Sequence, residues 1–221
     1  MVLKKGEVID IVWQFSRYYG NQLIFLENIK ENNSIAALIY LTNILENVLK
    51  NYKNDYDCKF FEAINYAHTQ KILTDVEFEF LNNSKSGIRK LRNIFAHANL
   101  SKFSFQLHNS SLLYPFTEND NCELFYDLIS EVLFNIICKI ALVHLTIKKE
   151  IFLDDVIANL DYSIIIWTPE QILEDKGIDT KELIGWDKLS ESDKYRYAEN
   201  AQNVKVLSFI FSQIDKLSEK H

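Results

Sequence analysis

Apolar side chains recur at spacings of three and four along most of the chain, as in helices that bury one face. From 34 to 53, Ile35, Leu38, Ile39, Leu41, Leu45, Val48 and Leu49 make a broad stripe, and Asn32-Asn33-Ser34 before it supplies caps. An earlier stripe over Val8 to Lys30 uses Ile11, Val12, Phe15, Tyr18, Tyr19, Leu23 and Leu26, with Gly20 placed to kink or divide it. Phe60, Phe61, Ile64 and Ala67 mark one face of a short helix over 58–70. Thr74-x-x-Glu77 is a capping box, so a helix starts at Asp75. Residues 82–87 bend it or restart it, and the segment as a whole spans 74–98. Residues 122–149 are apolar over too much of their circumference for a surface helix, which predicts a central or interfacial one.

The period changes after residue 98. Phe103, Phe105 and Leu107 alternate with Ser104, Gln106 and His108, and Asn109-Ser110-Ser111 follows. That predicts a short hairpin or extended loop ending at Pro115, placed to act as a rim over the preceding helix. Further on, Asp161-Tyr162-Ser163-Ile164-Ile165-Ile166-Trp167 is the best strand candidate in the chain, with a helix end as the other option. Thr168-Pro169-Glu170 starts a short helix that Gly177 stops. Helices are also predicted over 180–189, 191–200 and 204–217, the last with a stripe of Val206, Phe209, Ile210 and Ile214.

Composition supports the helical reading. Among 221 residues there are only 5 Gly and 2 Pro, so turns are few and long helices with short connections are favoured. The predicted fold is mainly all-α, a helical bundle followed by a helical C-terminal extension. Charge sets the boundary between the two. Residues 1–149 hold 16 acidic and 16 basic side chains, whereas residues 150–221 hold 15 against 8 and account for the net −7. The predicted parts are therefore 1–149 and an acidic, mostly helical 150–221. This balance argues against broad, unspecific coating of nucleic acid. No stretch reads as a signal peptide, and Asp127, Glu131 and Lys139 interrupt the most apolar segment, so no membrane span is expected. Cys58, Cys122 and Cys138 are odd in number and widely spaced, and read as buried thiols of a cytoplasmic protein.

The candidate chemistry lies in Ile88 to Leu100. Ile88, Leu91, Ile94, Phe95 and Ala98 share one side of a helix. Asn93 stands opposite them, flanked by Arg92 and His97. The long Arg92 side chain can curl across Ala96 towards the imidazole. This face offers a permanent cation, an amide and a ring that titrates near neutrality, the set that a phosphodiester and a proton transfer would need. Lys85, Arg89, Lys90 and Lys102 surround it as candidate RNA contacts, although solvated helix charges give the same pattern. Glycine-rich phosphate loops, a nucleophile elbow, His-Glu-x-x-His and paired cysteines are absent from the sequence, so no metal and no cofactor are expected.

Leu91-Arg92-Asn93-Ile94-Phe95-Ala96-His97, with an apolar helix on either side, resembles the HEPN superfamily of all-helical domains, closest in look to its mannitol-repressor-like branch. The resemblance runs from about Asn33 to Lys149. It implies a metal-independent endoribonuclease with Arg92 and His97 as catalytic groups and Asn93 assisting. It further implies a polar residue from the 34–53 helix facing that pair, for which Glu46 is the candidate. Such enzymes join two copies, so a homodimer acting on RNA is implied, and they serve toxin, abortive-infection and other antiphage-defence systems. The alternative is a non-catalytic regulatory or protein-interaction module, as mannitol-repressor-like proteins are, in which the acidic C-terminal part binds a partner such as an antitoxin.

Overall fold

The computed structural model describes residues 1–108, 110 and 112–205. Among them are ten α-helices and three short strands, and the fold is mainly α-helical as the sequence pattern predicts. Two compact units divide the chain. Met1–Leu100 with Phe105–Ile164 form the first, and Ser101–Ser104 with the chain from Ile165 onward form the second. The first unit runs past the charge boundary at 149 because residues 150–164 still pack within it. Ile151 and Leu153 are buried, and the Thr74 hydroxyl donates to Asp154 at 2.6 Å.

The first unit opens with α1 (Lys5–Phe15) and α2 (Arg17–Ile29). The division falls at Ser16, whose backbone is extended and whose hydroxyl accepts the Tyr19 N–H at 3.4 Å to cap α2. Gly20 has another use. A Cβ there would lie 2.6 Å from the Trp13 Cβ, so glycine lets α2 sit down on α1. Helix α3 (Ser34–Lys53) begins where Asn33 accepts the Ala36 N–H, and ends at Asn54 with φ 57°. Helices α4 (Phe60–Thr69), α5 (Asp75–Asn82) and α6 (Ile88–His97) follow, α5 starting at the predicted capping box. The chain restarts between α5 and α6. Asn83 Oδ1 accepts the N–H groups of Lys85 and Ser86, and a Cβ on Gly87 would meet the Asn83 backbone at 2.5 Å.

Helix α7 (Asn119–Val143) is central to this unit, packed against both α1 and α3. It stops short of the expected Lys149. Burial ends at Ala141, and the His144 ring stacks on Phe15 at 5.2 Å. Two buried polar anchors fix α7. Asn135 Oδ1 accepts the Leu3 N–H and its amide donates to the Leu3 carbonyl, both at 2.9 Å. Lys139 donates to both oxygens of the fully buried Glu77 at 2.7 Å.

Strands β1 (Phe103–Leu107) and β2 (Leu113–Pro115) make the predicted hairpin, and β3 (Tyr162–Ile166) joins the far side of β1, giving the order β2-β1-β3. The Trp167 N–H donates to the Lys102 carbonyl and the His108 N–H to that of Asp161, so β1 and β3 run antiparallel. A short helix, α8 (Asp154–Ala158), precedes β3.

In the second unit, α9 (Pro169–Asp175) and α10 (Glu191–Asn200) pack around Leu173, Trp186 and Ala198. Lys176 donates to the carbonyls of Ala198, Glu199 and Ala201, satisfying the C-terminal end of α10. Residues 180–189 do not form the expected helix. They make two 3-10 turns, Thr180–Glu182 and Trp186–Lys188, broken by Gly185 at φ 83°. The helix expected over 204–217 falls, from Val206 on, outside the described residues.

Candidate nucleic-acid site

Aromatic packing holds the motif helix in place. Phe95, on the buried side of α6, meets Phe116 edge-on at 5.0 Å, and Phe116 contacts Phe105 and Phe125. Phe125 in turn meets Tyr162, whose hydroxyl donates to the Ser86 carbonyl just ahead of α6. The hairpin thus supports the inner face of the motif helix through Phe105. Whether it also makes a rim turns on its tip, where Asn109 and Ser111 are not among the described residues.

On the outer face, Arg92 does not turn to His97. Its Nη2 donates to Glu46 Oε2 at 3.0 Å, and its Nη1 to Asn93 Oδ1 at 3.2 Å. A buried carboxylate attracts a guanidinium more strongly than an imidazole does, which explains the direction. Glu46 is only 7% exposed, and its other oxygen accepts from Lys50 Nζ at 2.9 Å. Asn93 therefore braces Arg92 and not the imidazole. The Arg92 Nε is buried and has no hydrogen-bond partner among the described residues. His97, the last residue of α6, is exposed, and no hydrogen bond engages its ring among the described residues. The site thus contains a braced cation and, about a turn and a half further along α6 on the other flank of Asn93, an unengaged imidazole.

The cations predicted from sequence as RNA contacts differ in what already holds them. Lys85 is exposed and Lys90 half-buried. Arg89 donates through Nε to Asn82 Oδ1 at 2.9 Å and lies over the Phe61 ring. Lys102 belongs to the second unit, paired with Glu191 at 2.8 Å and placed over the Tyr195 ring. Of the residues predicted from sequence, Glu46, Arg92 and Asn93 are brought into contact. Lys50 was missed, although its spacing of four from Glu46 was available as a signal.

Other chemistry is poorly supported. The three cysteines are free and buried, and burial pushes the thiols of Cys122 and Cys138 up to about 12, away from any nucleophilic use at neutral pH. No three His, Cys, Asp or Glu side chains converge among the described residues. No helix among them is long and apolar enough to cross a membrane. A groove of about 420 Å³ in the first unit, between α5 and the α8–β3 segment, contains none of the motif residues and has Asp75 and Glu79 in its lining. No family model, no curated protein and no solved structure matches the chain.

Proposed function

We propose that this protein is a HEPN-type endoribonuclease, cytoplasmic and homodimeric, of a toxin or antiphage-defence system, and that it works without a metal ion. What carries the reading is Arg92, braced by Glu46 and Asn93, on the same helix as an exposed and unengaged His97. In the reaction the RNA 2′-oxygen attacks its own phosphorus. The P–O2′ bond forms, the P–O5′ bond breaks, and a 2′,3′-cyclic phosphate remains. His97 takes the 2′-hydroxyl proton, and Arg92 meets the charge that builds on the phosphoryl oxygens. The leaving 5′-oxygen also needs a proton, and a second copy of His97 across a twofold axis supplies it.

The copies join through the α6 face and the outer strip of α2 and α3, since most of α7, the other surface expected to take part, is buried within its own unit. Phe25 and Tyr40 are exposed there, in edge contact at 6.1 Å, and Asn43 and Asn47 add no charge. Incubation of wild type and His97→Ala protein with mixed RNA tests the reaction. Wild type should leave cyclic phosphate ends, with and without EDTA, and the variant should not. Equal cleavage by both would falsify the assignment of His97.

A second reading has one observation in its favour: Glu46 already neutralises Arg92. In that case the protein is a mannitol-repressor-like interaction module, and the acidic residues from 150 onward bind a partner protein. An inactive wild type, together with a His97→Ala protein that loses its dimer, would put this reading first.

A further inference from the structure

Glu46 is shared between two cations, and the sharing has a consequence for Arg92. To offer a phosphate paired donors, the guanidinium has to turn at least partly away from the carboxylate that holds it. A buried carboxylate abandoned by its only cation is strongly unfavourable, so a simple Arg92–Glu46 pair would keep the arginine locked in place. Lys50 changes this. It binds Oε1 while Arg92 binds Oε2, one helical turn further along α3. When Arg92 leaves, Lys50 stays, and Glu46 remains compensated.

We propose that Lys50 is a positioning residue that makes Arg92 releasable, by holding the Glu46 carboxylate while the guanidinium engages a backbone phosphate of the RNA. The proposal rests on the ribonuclease reading for the identity of the anion. A purely structural role for Lys50 is the competing account, since it lies in the last turn of α3, where a cation also suits the helix dipole.

The two accounts separate in a cycle of Lys50→Gln, Glu46→Gln and the double variant, with Lys50→Arg as the conservative control. The first readout is rotation of the Arg92 guanidinium by side-chain nitrogen NMR in the unliganded protein. Lys50→Gln should slow it, because Glu46 then binds Arg92 alone. The second is the affinity of a short 2′-O-methyl RNA, which lacks the attacking hydroxyl, followed at the Arg92 signal. Lys50→Gln should weaken it by at least about tenfold, because Glu46 is then stranded when the guanidinium turns to the phosphate. In the Glu46→Gln background the same substitution should have little effect on either readout, since no carboxylate is left to compensate. Lys50→Arg should behave as wild type. Unchanged Arg92 rotation in Lys50→Gln, or an equal loss with and without Glu46, would overturn the proposal. Should Lys50→Gln fail to fold, the double variant and Lys50→Arg take its place. A folded double variant with wild-type affinity then supports the proposal, and one tenfold weaker overturns it. If the Arg92 rotation behaves as expected but wild type neither binds the RNA analogue nor cleaves RNA, Lys50 keeps its role and the ribonuclease reading fails.

Discussion

Two carboxylates are buried in the first unit, and they are held in opposite ways. Glu77 is fully buried, and both of its oxygens accept from the same Lys139 Nζ, with the Thr74 N–H adding a third bond. It is a closed arrangement with nothing left to offer. Glu46 is nearly as buried, yet each oxygen holds a different cation, and one of them, Arg92, is 28% exposed on the helix that ends in the unengaged His97. The first arrangement ties α5 to α7. The second leaves a cation able to change partner at the surface. Burial of a charge is therefore no guide to function by itself. What matters is whether losing one partner leaves the charge alone.

That difference predicts unequal responses to removing a cation. Lys139→Met should destabilise the protein by about 3–5 kcal/mol, the usual cost of stranding a buried charge, as read from chemical denaturation. Arg92→Ala should cost far less stability, because Lys50 still compensates Glu46. If the two variants unfold at the same denaturant concentration, the contrast between the sites disappears.

The order reverses for activity. Arg92→Ala and His97→Ala should each lower RNA cleavage by at least about 10²-fold, the scale of a lost charge-stabilising or proton-transfer group. For His97→Ala the melting temperature should hardly move, because the exposed ring makes no hydrogen bond among the described residues. Asn93→Ala should reduce kcat by only a few-fold, since the carbonyl oxygen that braces Arg92 Nη1 can be replaced by water.

What could be read from sequence depends on the range of the interactions involved. Helix α3 was legible to the residue because its stripe and its Asn33 cap are local, the capping box before α5 and the proline start of α9 were equally so, and the strand was found within the 161–167 stretch offered for it. The failures came where local chemistry yields to neighbours distant in sequence. Gly20 looked like a break but serves close packing on Trp13, while the real break at Ser16 needed only a hydroxyl cap. The stretch 180–189 had helical composition, yet Trp186 is drawn into the core with Leu173 and Ala198, and its Nε1–H donates to Glu170. At the site, the side of α6 that carries Arg92, Asn93 and His97 was legible, whereas the direction of Arg92 was not. It depends on Glu46, which is far away in sequence and only a candidate until α3 and α6 pack together.

The smallest effect concerns the lysines predicted from sequence as RNA contacts, and it extends the same comparison from carboxylates to lysines. Lys85 is exposed, and no acidic side chain engages it among the described residues, so its charge can release counterions from a phosphate. Lys102 is already paired with Glu191 at 2.8 Å and covered by the Tyr195 ring, and Glu191 also raises its pKa by accepting its hydrogen bond. To reach a phosphate it would first have to leave both partners. The salt dependence of RNA affinity distinguishes the two. Lys85→Ala should make the slope of log affinity against log salt shallower by about 0.7, one contact to a single strand, whereas Lys102→Ala should leave it unchanged. Lys90→Ala should resemble Lys85→Ala, with kcat retained, because a phosphate contact positions the strand and moves no proton. A Lys102→Ala slope as shallow as that of Lys85→Ala would mean that RNA displaces Glu191, and the contrast between held and open charges would not extend to the second unit.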